Sequence, residues 1–120
     1  MLYTTYFAKL GKLPQIIVPV SICLYPPDWY TGLEYKTLAP KSEFFKSFKE
    51  TGDQECFIKS FNDQVLSGLD PLYVEQEIYG LAHSVNVALV CYEKPDNFCH
   101  RHLVSQWFNS FGISCHELKF

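Results

Sequence analysis

Strand-like and helix-like spacings of apolar residues succeed one another along this chain. Leu2 to Phe7, rich in tyrosine and threonine, predicts a first strand. Ile16 to Cys23 predicts a second, in which Pro19 cannot donate a ladder hydrogen bond and so implies an edge position or a bulge. Phe44, Phe45 and Phe48 fall on one face of a short helix after Pro40-Lys41-Ser42, with Ser42 at its N-cap. Phe57 or Ile58, Phe61, Val65 and Leu69 continue at helical spacing until Gly68. Asp70-Pro71 starts a third helix, with Val74, Ile78 and Leu81 facing inward. Asn86 to Tyr92 is almost continuously apolar, the pattern of a central parallel strand covered on both faces. Phe98 to Phe111 predicts a helix with a stripe of Leu103, Val104, Trp107, Phe108 and Phe111, closed by Gly112. Ile113 to Leu118 forms a last strand.

This order predicts an α/β fold: a small three-layer domain with a mostly parallel central sheet of about four strands and helices on both faces. A chain of 120 residues makes one domain, 1–120. In such sheets ligands bind outside the carboxyl ends of the strands. The loops after Cys23 and Cys91 therefore carry the functional expectation.

Hydrophobic residues make up 48% of the chain and charged residues 19%, which is the mix of a folded globule rather than a disordered tail. The net charge of −3 argues against a protein that coats DNA, and there is no strong nucleic-acid signal. The five cysteines are an odd number, scattered and without a CxxC pair, so free thiols in a reducing compartment are expected. The start of the chain lacks the basic and apolar regions of a signal peptide. The longest apolar stretch, Ile16 to Leu24, is broken by Pro19 and too short for a bilayer. The expectation is a soluble cytoplasmic protein with no membrane partner.

The chemistry concentrates in Cys91-Tyr92-Glu93-Lys94-Pro95-Asp96-Asn97-Phe98-Cys99-His100-Arg101-His102, between a buried strand and a helix start. Free backbone N–H groups and the positive end of a helix dipole lie there. Arg101 works against that dipole. An anionic ligand would explain it, and so would a local bridge to Glu93 or Asp96. Cys99 at a helix N-terminus suits thiolate chemistry, yet it aligns with Leu103 and Trp107 of the core stripe. Cys91 could point to either face of its strand. Glu93, just past the strand end, suits an acid, base or nucleophile. Cys91, Cys99, His100 and His102 are zinc-type ligands, but their spacing matches no zinc finger or ribbon, so no metal or cofactor is expected. A second cluster, Ser21, Tyr25, Trp29, Tyr30, Tyr35, Lys36 and Lys41, suits stacking on a base and contact with phosphate, or simply covers the sheet.

Ser21-Ile22, Pro27-x-Trp29-Tyr30-x-Gly32, Tyr35-Lys36-x-Leu38-Ala39-Pro40, Leu89-x-Cys91-x-Glu93 and Cys99-His100-Arg101 together resemble the DUF488 family of small bacterial and phage proteins. The resemblance covers nearly the whole chain. It implies a compact α/β domain with Cys91, Glu93, Cys99, His100 and Arg101 as the site, and supplies no reaction.

Three functions stand beside one another. The first is a site for a small nucleotide- or phosphate-type anion held by Arg101 and the helix start, with Glu93 catalytic and Trp29 or Tyr35 stacking. The second is a thiol enzyme using Cys91 or Cys99 with His100 as base. The third is a non-catalytic interaction module. Phe44, Phe45 and Phe48 would suit a homodimer partner as well as a core.

Overall fold

The computed structural model describes residues 1–120. Its strands are β1 (Leu2–Tyr6), β2 (Val18–Ser21), β3 (Leu33–Glu34), β4 (Val87–Cys91) and β5 (Cys115–Glu117). Its α-helices are α1 (Ser42–Thr51), α2 (Gln54–Phe61), α3 (Pro71–Ala82) and α4 (His100–Ser110). A π-helical turn, Asn62–Leu66, extends α2, and a 3-10 segment, Phe7–Lys12, follows β1. The sheet has five strands in the order β3-β2-β4-β1-β5, and every pair is parallel. The strand beyond the four predicted is the two-residue β3, too short to leave a periodic signal.

The apolar run of β4 is buried at all five positions between β1 and β2. Pro19 is tolerated for a local reason. The amides of Val18 and Ile22 bond to Asn86 and Val90, so N–H groups at even positions of β2 face β4. Pro19 faces the other side, where β3 has not begun: its pairing starts at Val20. β2 is also shorter than Ile16 to Cys23, with Ile16 exposed in the turn before it.

Register sorts the two faces. Leu2, Thr4 and Tyr6 pair with Val87, Leu89 and Cys91 and share one face. Val74 and Ile78 of α3 and Val104 and Phe108 of α4 close the main core with Leu2, Val87 and Leu89. Val90 belongs to a smaller cluster with Phe7, Cys23, Cys91 and Cys99 at the carboxyl ends of the strands, and Leu10 and Tyr30 pack against it. The sheet thus lies between a layer of α-helices and a thinner layer made by the 3-10 segment and loops.

Local signals explain the helix ends. Asp70 Oδ1 accepts from the Leu72 amide at 3.1 Å with Pro71 in the first turn, as the sequence predicts. Ser42 is instead the first helical residue of α1, and Lys41 is its cap, its carbonyl accepting from the Phe45 amide. α4 starts at His100 because Cys99 is still extended at φ −153°. Its inner line is Val104 and Phe108. Leu103 and Trp107 lie at the border, and Phe111, beyond the helix end, is 61% exposed. Leu81 is only partly buried, and Ala82 takes its expected place in the core.

Candidate functional site

Adjacent parallel strands end at the same edge of a sheet, so β2 and β4 release their loops side by side. A cavity of about 260 Å³ opens there. Cys91, Glu93, Cys99 and His100 line it together with Cys23. Phe45, Phe48, Phe57 and Phe98 give it an aromatic wall, and Lys49 is its only lysine or arginine. Phe98 meets Phe48 at 5.3 Å and Phe57 at 5.4 Å between ring centroids, so the wall is a packed aromatic cluster.

Register resolves the direction of Cys91: it shares the face of Val87 and Leu89, under the helices. His100, the first residue of α4, comes to the same place. Its Nε2 lies 2.7 Å from the Ile22 carbonyl oxygen, a group that can only accept. Nε2 therefore carries the proton of the neutral ring, and the Nδ1 lone pair faces Cys91 Sγ at 3.5 Å. Cys23 Sγ stands 3.4 Å from Cys91 Sγ. Cys23, Cys91, Cys99 and His100 are all buried. Hydrogen bonding to Cys23, together with burial, pushes the Cys91 thiol far above the ordinary thiol range. Hydrogen bonding to Cys91, then burial, pushes Cys99 up to about 12. Cys99 is also free of the structural duty of a cap, since its side chain makes no capping bond. Glu93 is exposed at the cavity rim, where Asn97 Nδ2 donates to it at 3.4 Å.

Arg101 turns away from this cluster. Its side chain is fully buried, and Nε and Nη2 grip the two carboxylate oxygens of Glu117 at 3.0 and 3.1 Å. Thr4 donates to the same carboxylate at 2.6 Å, tying α4, β5 and β1 together. The partner is thus Glu117, not Glu93 or Asp96. Burial opposes the guanidinium charge, but the bonds to Glu117, helped by the nearby Cys99 and Cys91, more than offset it, and the Arg101 pKa sits above its ordinary value. Arg101 is not among the residues that line the cavity. His102 also lies outside the cluster, with its pKa lowered by burial and by neighbouring Arg101.

The second cluster disperses. Ser21 Oγ accepts from the Cys23 amide and caps the strand end. Trp29 is 62% exposed and meets Phe7 edge-on. Tyr35 is buried and donates to Glu77. Lys36 donates to the Leu24 carbonyl and pairs with Glu34. Lys41 is exposed at the start of α1. None of these five lines the cavity; of the aromatic residues in that loop, Tyr25 does.

Sequence reasoning missed Cys23, Lys49 and the phenylalanine wall. A signal for Cys23 existed: it ends a strand-like run just as Cys91 does, and two adjacent parallel strands bring such ends together. Lys49 lies one helical turn after Phe45 and packs over its ring at 5.3 Å, a spacing that also suits an ordinary solvated lysine. Four of the five cysteines are buried and all are free; Cys56 is exposed. No helix is long and apolar enough to cross a membrane.

No curated protein and no solved structure matches the chain. A family model, DUF488-N3a, described as the active DUF488-N3 subclade, matches residues 21–112. That segment runs from the end of β2 through α4 and includes every residue that lines the cavity. The resemblance seen in the motifs is thereby established over most of the chain, which belongs to the DUF488 family.

Proposed function

We propose that the cavity is a catalytic small-molecule site whose ligand is a planar, anionic compound of nucleotide type. The observation that carries this reading is that Cys91, Glu93, Cys99 and His100 line the same small cavity as four phenylalanines. At about 260 Å³ the cavity lies just under the ~300–1,000 Å³ usual for ligand pockets, a size for a small molecule rather than a polymer. The aromatic wall suits stacking on a planar ring, the role first expected of Trp29 or Tyr35. The anionic group would meet Lys49 and the free amides at the start of α4, since Arg101 is already engaged by Glu117. Glu93 at the rim is the proton-transfer group. The matching subclade is described as active, which agrees with a catalytic role.

A thermal-shift screen against nucleotides, nucleosides, sugar phosphates and short oligonucleotides tests this. A ligand at ~100 times its Kd adds ~2.7 kcal/mol to native stability. The expected result is a rise in Tm with a phosphate-bearing mononucleotide-sized compound that is lost in Lys49→Ala. A screen without any shift would sink the reading and leave the aromatic cavity as a protein-docking surface. The Cys91–His100 contact favours one other mechanism at the same site, a thiol nucleophile with an imidazole base. Rapid alkylation of Cys91 by iodoacetamide would support it.

A further inference from the structure

We infer that Cys91, Cys99 and His100 bind one zinc ion, with its fourth coordination position open to the cavity. The two cysteine sulfurs and one imidazole nitrogen all lie within 4.8 Å of one another. With Zn–S near 2.3 Å and Zn–N near 2.0–2.1 Å, a tetrahedral site separates sulfur from nitrogen by about 3.5 Å. Cys91 Sγ and His100 Nδ1 are 3.5 Å apart. The remaining edges are no longer than 4.8 Å, against about 3.5–3.8 Å in a closed tetrahedral site.

The imidazole is already oriented for this. Metal-bound histidines as a rule donate their second nitrogen to a carbonyl or carboxylate, which fixes the tautomer and aims the lone pair. The bond from His100 Nε2 to Ile22 O at 2.7 Å does this here, leaving Nδ1 free on the side of the sulfurs. Two thiolates and an imidazole are soft donors that select zinc over magnesium or calcium. Binding displaces the two thiol protons to solvent, and two thiolate charges neutralise the ion. The buried cluster is then uncharged, which is what its apolar surroundings, Phe7 and Val90 beside the cysteines and Phe61 against His100, require.

Cys23 is outside the three-ligand group. Its S–H donates to Cys91 Sγ at 3.4 Å, a bond of the kind that supports a ligand sulfur from the outer shell. Three protein ligands and one open position is the arrangement of catalytic rather than structural zinc. All three ligands line the cavity, so the open position faces the bound molecule. Zinc there lowers the pKa of a coordinated water, and Glu93, at the rim of the same cavity, is the carboxylate that would receive its proton. This last part rests on the cavity being a catalytic site; the metal site itself does not.

The test is metal content by mass spectrometry on the full chain purified without chelator, followed by titration of stripped protein with zinc and with cobalt. About one zinc per chain is expected, with a thiolate-to-cobalt charge-transfer band on cobalt loading. Cys99→Ser and His100→Ala should lose the stoichiometric metal and the band. Cys115→Ser, which alters a buried thiol elsewhere, and Glu93→Gln should keep both. Circular dichroism confirms that each variant is folded. If stripped wild-type protein takes up neither metal, or if Cys99→Ser and His100→Ala retain it, the inference is overturned. Nucleotide-type shifts in a protein that binds no metal would overturn this inference alone. Stoichiometric zinc without any ligand shift would overturn the cavity reading alone.

Discussion

His100 and Arg101 are neighbours in the chain, and they belong to two different parts of the molecule. His100 points to the cavity, where it orders Cys91 through one nitrogen and holds the Ile22 carbonyl with the other. Arg101 points to β5, where Glu117 and Thr4 join it in a polar network away from the cysteine-lined cavity, with Arg101 Nη1 left unpaired. A turn of about 100° between consecutive helical residues separates them. The lesson is that a compact run of chemically rich residues need not be one site. In Cys99-His100-Arg101 two residues line the cavity and one anchors the helix that carries them.

The largest expected effect lies on the anchoring side. Glu117→Ala leaves the fully buried Arg101 without its carboxylate, and breaking such a pair costs about 3–5 kcal/mol. Chemical denaturation should show this as a clear fall in midpoint, while protein kept folded in the cold retains its ligand response. An unchanged midpoint would mean that the bridge contributes little. On the cavity side, His100→Ala leaves the Ile22 carbonyl unpaired in the interior, for about 1–3 kcal/mol, and should abolish any ligand-induced shift. Full ligand response in that variant would remove His100 from the site. Glu93→Gln touches an exposed side chain and should move stability by no more than about 0.5 kcal/mol while removing turnover of whatever ligand the screen yields. The smallest perturbation is alkylation of native protein. Mass spectrometry should find Cys56 modified first and the four buried cysteines much later.

Much of this fold was legible because its signals are local. The unbroken apolar run of β4, the Asp70-Pro71 start and the Gly112 stop each act within a few residues. The two loops that flank the cavity followed from the rule that parallel strands bind ligands at their carboxyl ends. β3 escaped notice because two residues cannot show a period, and Phe111 misled because an apolar stripe does not say where its helix stops. Trp29, Tyr35 and Lys36 looked like a binding cluster on composition alone. Their partners, Phe7, Glu77 and the Leu24 carbonyl, are far away in sequence or unmarked by type.

The α/β class, the central strand and the cluster of reactive residues around Cys91 are written in short segments, because period and residue chemistry are local properties. Only the tertiary structure decided which of those residues meet. Cys23 reaches Cys91 across 68 positions of chain because β2 and β4 are neighbours in the sheet. Arg101 was claimed by Glu117 because β5 lies on the far side of β1, where α4 can cover it. Strand order sets such pairings, and strand order comes from packing the whole chain at once.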